Sequence, residues 1–95
     1  PYTTLFRSFV LSNFVIKWIE QYIAGLFITD NYRNKGIGRF LLERLKSDYN
    51  VLNLHVNEKN EGAIRFYTKH QFEIRSKEFE VETQEYEYFM KWDSN

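Results

Sequence analysis

Apolar and polar residues change period several times along the chain, and each change marks an element. Phe14–Ile19 alternates loosely and predicts a strand; Glu20-Gln21 is a polar break. Tyr22–Ile28 is a short, bounded apolar run that predicts a buried strand, and the two strands make a hairpin. Residues 29–35 are polar and loop-like. From Gly36 the period becomes helical: Ile37, Phe40, Leu41 and Leu45 recur, with Arg39, Glu43, Arg44 and Lys46 facing away. Asn50 breaks that pattern. Residues 51–56 alternate, with Leu52, Leu54 and Val56 on one face and Asn53, His55 and Asn57 on the other. Asn60 is a suitable N-cap, Glu61 suits the positive end of a helix, and Ala63, Phe66, Tyr67 and His70 follow at helical spacing. Residues 72–81 and 84–92 predict a last hairpin around Glu82-Thr83. The order strand, strand, helix, strand, helix, strand, strand implies an α/β fold with a mixed sheet. If the strands flanking the first helix share one sheet, their connection is a right-handed parallel crossover.

Composition narrows the function. The 95 residues are 43% hydrophobic and 19% aromatic, which describes a globular chain of one domain or part of one. Thirteen basic and 13 acidic residues cancel, so the chain lacks the basic stripe of a nucleic-acid binder. Without cysteine there is no disulfide scaffold and no thiolate zinc site, which fits a cytoplasmic protein; two isolated histidines do not make a metal site. Residues 9–28 are apolar, but Asn13, Lys17, Glu20 and Gln21 interrupt them too often for a membrane helix. No signal peptide is visible. Residues 1–8 look like the translation of a sequencing-adapter oligonucleotide and begin with proline instead of methionine. They are read as a non-native leader, the alternative being an ordinary strand entry, and residues 9–95 as the domain.

The most informative run is Tyr32-Arg33-Asn34-Lys35-Gly36-Ile37-Gly38-Arg39, which follows a strand and opens a helix. Two glycines let the backbone approach a ligand, and the free N–H groups of a helix start carry partial positive charge. Together they suit a pyrophosphate, with Arg33, Lys35 and Arg39 adding charge. Other phosphate motifs fit worse: a dinucleotide fingerprint wants a third glycine where Leu41 stands, and a P-loop wants Gly-Lys-Ser or Gly-Lys-Thr, neither of which occurs. Taken alone, the pair of glycines is more simply a plain turn feeding a helix.

Arg33-x-x-Gly36-x-Gly38 resembles the signature of the GCN5-related N-acetyltransferase (GNAT) family. Tyr22-Ile23-Ala24-Gly25-Leu26-Phe27-Ile28 is similar to that family's fourth strand. Asn60-Glu61-Gly62-Ala63-Ile64-Arg65-Phe66-Tyr67 resembles one of its helix starts, and Tyr88-Phe89-Met90 its last strand. The resemblance runs from about Tyr22 to Trp92, and the order and spacing of the motifs carry it. It implies the mixed-sheet acyl-CoA N-acyltransferase fold, without the family's first strand and first two helices, which lie upstream. It implies acetyl-CoA as acyl donor and a primary amine as acceptor. The backbone of Leu26, Phe27 and Ile28 would pair with the pantetheine arm. The amides of Asn34, Lys35, Gly36, Ile37, Gly38 and Arg39, with Arg33, would hold the pyrophosphate. Asn60 would contact the pantetheine region or serve only as an N-cap. Tyr67 would be the general acid that protonates the departing thiolate, its alternative being a core aromatic; Phe66 beside it already supplies packing, which favours the functional role. Gln71 stands where the family has a glycine, so a left-handed turn there would be strained.

No general base is assigned from the sequence. His55 titrates in the right range and is a candidate, with a surface histidine as the plainer alternative. Glu20 is a weaker candidate, and His70, near a helix end, is read as structural. Glu78, Glu80, Glu82, Glu85 and Glu87 gather on the last hairpin, either to attract a cationic acceptor or, as preferred, as a solvated strand face. The missing acceptor half implies an inactive fragment that self-associates or forms a homodimer. The alternatives to an acetyltransferase are a non-catalytic coenzyme A-binding module and a purely structural domain.

Overall fold

The computed structural model describes residues 7–11, 14–28 and 36–95. The chain divides into two units, Pro1–Tyr49 and Asn50–Asn95.

In the first unit, β1 (Arg7–Leu11), β2 (Phe14–Ile19) and β3 (Tyr22–Ile28) form an antiparallel meander followed by α1 (Ile37–Asp48). The hairpin between β2 and β3 turns at Glu20-Gln21, with Glu20 at φ 49°. β1 is a strand the hydrophobic pattern did not mark. It pairs Arg7 with Trp18 and Ser8 with Lys17, so two residues of the stretch read as a leader belong to the sheet. The core of this unit consists of Ile16 and Ile23 from the strands and Gly38, Leu41, Leu42 and Leu45 from α1. That helical face differs from the expected stripe by part of a turn. Phe40, expected inside, is 56% exposed, and Leu42, not counted in the stripe, is fully buried. Lys46, expected to face away, has a side chain that is 9% exposed and approaches Glu43 at 3.9 Å. Its long apolar stem tolerates burial while the ammonium keeps a partner.

In the second unit, β4 (Val51–Asn57), α2 (Glu61–Lys69), β5 (Glu73–Glu80) and β6 (Glu85–Asp93) build an antiparallel sheet in the order β4-β6-β5. Strict alternation along β4 buries Leu52, Leu54 and Val56, which stand opposite Trp92, Met90 and Tyr88 of β6. Phe72, Met90 and Tyr67 complete that core. The β5–β6 hairpin turns at residues 81–84 around Glu82-Thr83, with Gln84 at φ 56°. β5 lies at one edge of this sheet, and Ile74 and Phe79 on it remain exposed. The register slips between Ile74 and Ser76.

Candidate functional site

The glycine turn is built by dihedrals. Gly36 occupies the N-cap of α1 at φ 76°, ψ 8°, a left-handed conformation that side chains resist. An added Cβ would meet nothing within 4 Å, so conformation, not space, calls for glycine. The first helical bond runs from the Phe40 amide to the Gly36 carbonyl at 3.0 Å. The amides of Ile37, Gly38 and Arg39 precede that bond and have no partner within the helix. No acidic residue lies in the first turn to compete for an anion. Arg39 is exposed, Ile37 half-buried and Gly38 buried. Arg33, Asn34 and Lys35 lie outside the described residues. In β3, Leu26, Phe27 and Ile28 pair with Ile16, Val15 and Phe14 of β2.

The second unit holds the groups suited to proton transfer. Asn60 caps α2: its Oδ1 accepts from the Ala63 amide at 3.2 Å, the geometry expected of an N-cap. Seven residues on, Tyr67 is the buried residue of α2, 8% exposed, while Phe66 is only half-buried. This corrects the argument that Phe66 supplies the packing and leaves Tyr67 for function. The helix turns Tyr67 inward, where its ring meets Phe72 and Phe66 edge-on, each with centroids 5.4 Å apart. Burial pushes the Tyr67 hydroxyl up from about 10 to about 12. It therefore holds its proton throughout the neutral range, as a general acid must.

His55 lies on the face of β4 opposite Leu54 and Val56. Its Nε2 is 3.1 Å from Glu78 Oε1, and its ring leans on Phe89 at 5.1 Å. Ser76 Oγ donates to Glu78 Oε2 at 2.9 Å. The hydrogen bonds from Ser76 and then from His55 hold the Glu78 carboxyl below its usual range. The sequence treated Glu78 as one of a row of solvated glutamates. Its partner is 23 residues away, and no local signal announces the pair. Elsewhere in the row, Glu85 takes Lys59 at 2.8 Å. The His70 ring meets Phe66 at 4.6 Å with the two planes tilted by 60°. Among the described residues no group of three or more histidine, aspartate or glutamate side chains is placed to hold a metal ion. Among them too, no helix is long and apolar enough to cross a membrane.

The chain belongs to the GNAT acetyltransferase family: residues 9–74 match the profile of the acetyltransferase (GNAT) domain. It is similar to the peptidyl-lysine N-acetyltransferase YjaB of Escherichia coli, 41% identical over 54 residues, or 57% of this chain and 37% of that protein. YiaC, another peptidyl-lysine N-acetyltransferase of E. coli, is 30% identical over 82 residues, covering 86% of this chain and 56% of its own length. Among solved structures, Arabidopsis thaliana Naa50 bound to a coenzyme A–peptide bisubstrate analogue superposes with a TM-score of 0.72 at 29% identity. That match covers 82% of this chain and 63% of Naa50. The chain thus spans about half the length of the curated relatives it matches, 37% of YjaB and 56% of YiaC. Its fold is that of a partial GNAT domain.

Proposed function

We propose that this domain forms the acetyl-CoA-binding part of an enzyme that transfers an acetyl group to a primary amine, either a peptidyl lysine or a protein N-terminus. Family membership supports the reaction, and the lysine- and N-terminus-directed relatives support the acceptor class. The observation that carries the proposal is Gly36 at φ 76°, which opens α1 toward an anion with no acidic side chain in the first turn. In this reading the amides of Ile37, Gly38 and Arg39, joined by Arg33, Asn34 and Lys35, bind the pyrophosphate, and the main chain of Leu26, Phe27 and Ile28 binds the pantetheine arm. Asn60 keeps its amide group near that arm while its oxygen caps α2.

The chemistry is direct transfer. A neutral amine attacks the thioester carbon, and a C–N bond forms. A main-chain N–H near Phe27 or Ile28 stabilises the oxyanion. The C–S bond then breaks, and Tyr67 gives its proton to the thiolate. His55 takes the proton that the amine loses; the hydrogen-bonded carboxylate of Glu78 supports this role, since such a partner orients an imidazole for general-base work.

Thermal shift with and without acetyl-CoA tests the binding site. The wild-type chain should be stabilised by the ligand, and Gly36→Asp, which adds a side chain and a negative charge at the turn, should lose that stabilisation. Gly36→Asn, which tolerates the left-handed conformation, should retain most of it. Equal stabilisation of wild type and Gly36→Asp would refute the site.

A further inference from the structure

We propose that Glu78, held by Ser76, is the positioning residue that sets the tautomer and orientation of His55. This rests on the reading of His55 as the base. Three observations carry it. An ionised carboxylate can only accept a hydrogen bond, so the 3.1 Å contact between His55 Nε2 and Glu78 Oε1 requires the proton on Nε2. The lone pair of the neutral ring then belongs to Nδ1. Second, the carboxylate is itself fixed: Ser76 Oγ binds its other oxygen at 2.9 Å, while Phe89 packs against the imidazole. Third, the sheet is deformed to bring the three residues to one face. Ile74 lies opposite Met90, but Ser76, not Arg75, lies opposite Phe89, the cross-strand neighbour of His55.

That extra residue inverts the facing of everything after it. Without the bulge, Arg75 would take the place of Ser76, and Glu78 would pair with Tyr86 on the other face. With it, Glu78 pairs with Glu87 on the face of His55. Placing Glu78 there has a cost, because like charges directly opposed across two strands destabilise a hairpin. The Ser76 and His55 contacts offset it. Glu78 is about half exposed, so the pair itself adds little to folding stability. A strand re-aimed to place an exposed carboxylate beside a histidine is better explained by what it does to the histidine.

Two experiments test this separately from the base assignment. In the chain labelled with ¹⁵N-histidine, with His70→Asn to assign the signals, imidazole correlation spectra above the titration range read the tautomer. Wild type should show His55 protonated at Nε2 alone. Glu78→Ala should show both tautomers in exchange, and an unchanged spectrum would overturn the positioning role. In a longer form that spans the whole family domain, His55→Gln should lower kcat about 10²-fold or more. Glu78→Gln should lower kcat several-fold with the KM for acetyl-CoA unchanged. The double variant should be no slower than His55→Gln, because Glu78 acts through the imidazole. Additive losses would overturn the proposal. A normal kcat in His55→Gln, with the tautomer effect intact, would instead locate the failure in the base assignment.

Discussion

The main-chain N–H of Phe72 donates to the Tyr67 carbonyl at 3.0 Å, and the two rings meet edge to face with centroids 5.4 Å apart. Together with the bond from the Gln71 amide to the Thr68 carbonyl, also 3.0 Å, this is a Schellman ending of α2 with its apolar contact in place. The motif needs a left-handed residue between helix and strand, and Gln71 supplies it at φ 74°. The α2 terminus thus fixes the ring that carries the proposed acid.

Replacing that strained residue should strengthen the fold. Gln71→Gly removes a Cβ from a left-handed position and should raise unfolding free energy by about 1 kcal/mol, less any gain in unfolded-chain entropy. For a chain this short that corresponds to a rise in Tm of about 4–8 °C. Urea denaturation measures it; an unchanged or lower midpoint would show that Gln71 makes a compensating contact.

Tyr67→Phe separates the structural and chemical roles of this ring. The folded hydroxyl titrates at about 12 and an unfolded tyrosine at about 10, so the unfolded chain releases this proton first. The contribution is intact below pH ~10 and lost between ~10 and ~12, to a limit of about 2.7 kcal/mol. The variant should therefore lose less stability than wild type over that window, with the other tyrosines contributing equally to both. In a longer form that spans the whole family domain, the same variant should lower turnover about 10²–10⁴-fold while acetyl-CoA binding, measured by calorimetry, changes little. Normal turnover would leave Tyr67 as a core aromatic.

The 95-residue chain by itself should bind acetyl-CoA but show little or no turnover across a panel of amines: it spans only part of the length of its relatives, and a chain that does not orient the nucleophile gains little rate. It should also self-associate. β1 lies at an edge of the first unit's strands and β5 at an edge of the second's, and Phe9, Val10, Ile74 and Phe79 on them are exposed. Assays paired with light scattering check both parts; robust turnover by a monodisperse monomer would contradict them. If the longer enzyme binds the ligand yet shows no turnover, the domain is a coenzyme A-binding module without catalysis.

Much of this protein was legible because its signals are local. The alternation of residues 51–56 marked β4 and its buried face, since a strand has a period of two whatever it packs against. Asn60 marked the start of α2, and the identity of residue 71 flagged a strained helix end, because caps depend on a few neighbouring residues. The glycines at 36 and 38 and their spacing from Asn60 carried the family. The strand at Arg7–Leu11 was not legible, because its pattern is short and only pairing with β2 defines it.

Tertiary structure decided what local pattern leaves open. Apolar residues one or two positions apart on a helix compete for one buried direction, and only packing chose Tyr67 over Phe66 and Leu42 over Phe40. The contact between His55 and Glu78 spans 23 residues and depends on strand order and on one register slip between Ile74 and Ser76. A shift of one residue reverses which side of a strand faces a neighbour, so composition and periodicity are blind to it. The elements after Arg7–Leu11 and the glycine turn at Gly36 were therefore properties of the sequence, whereas the company kept by His55 and Tyr67 was set by the fold.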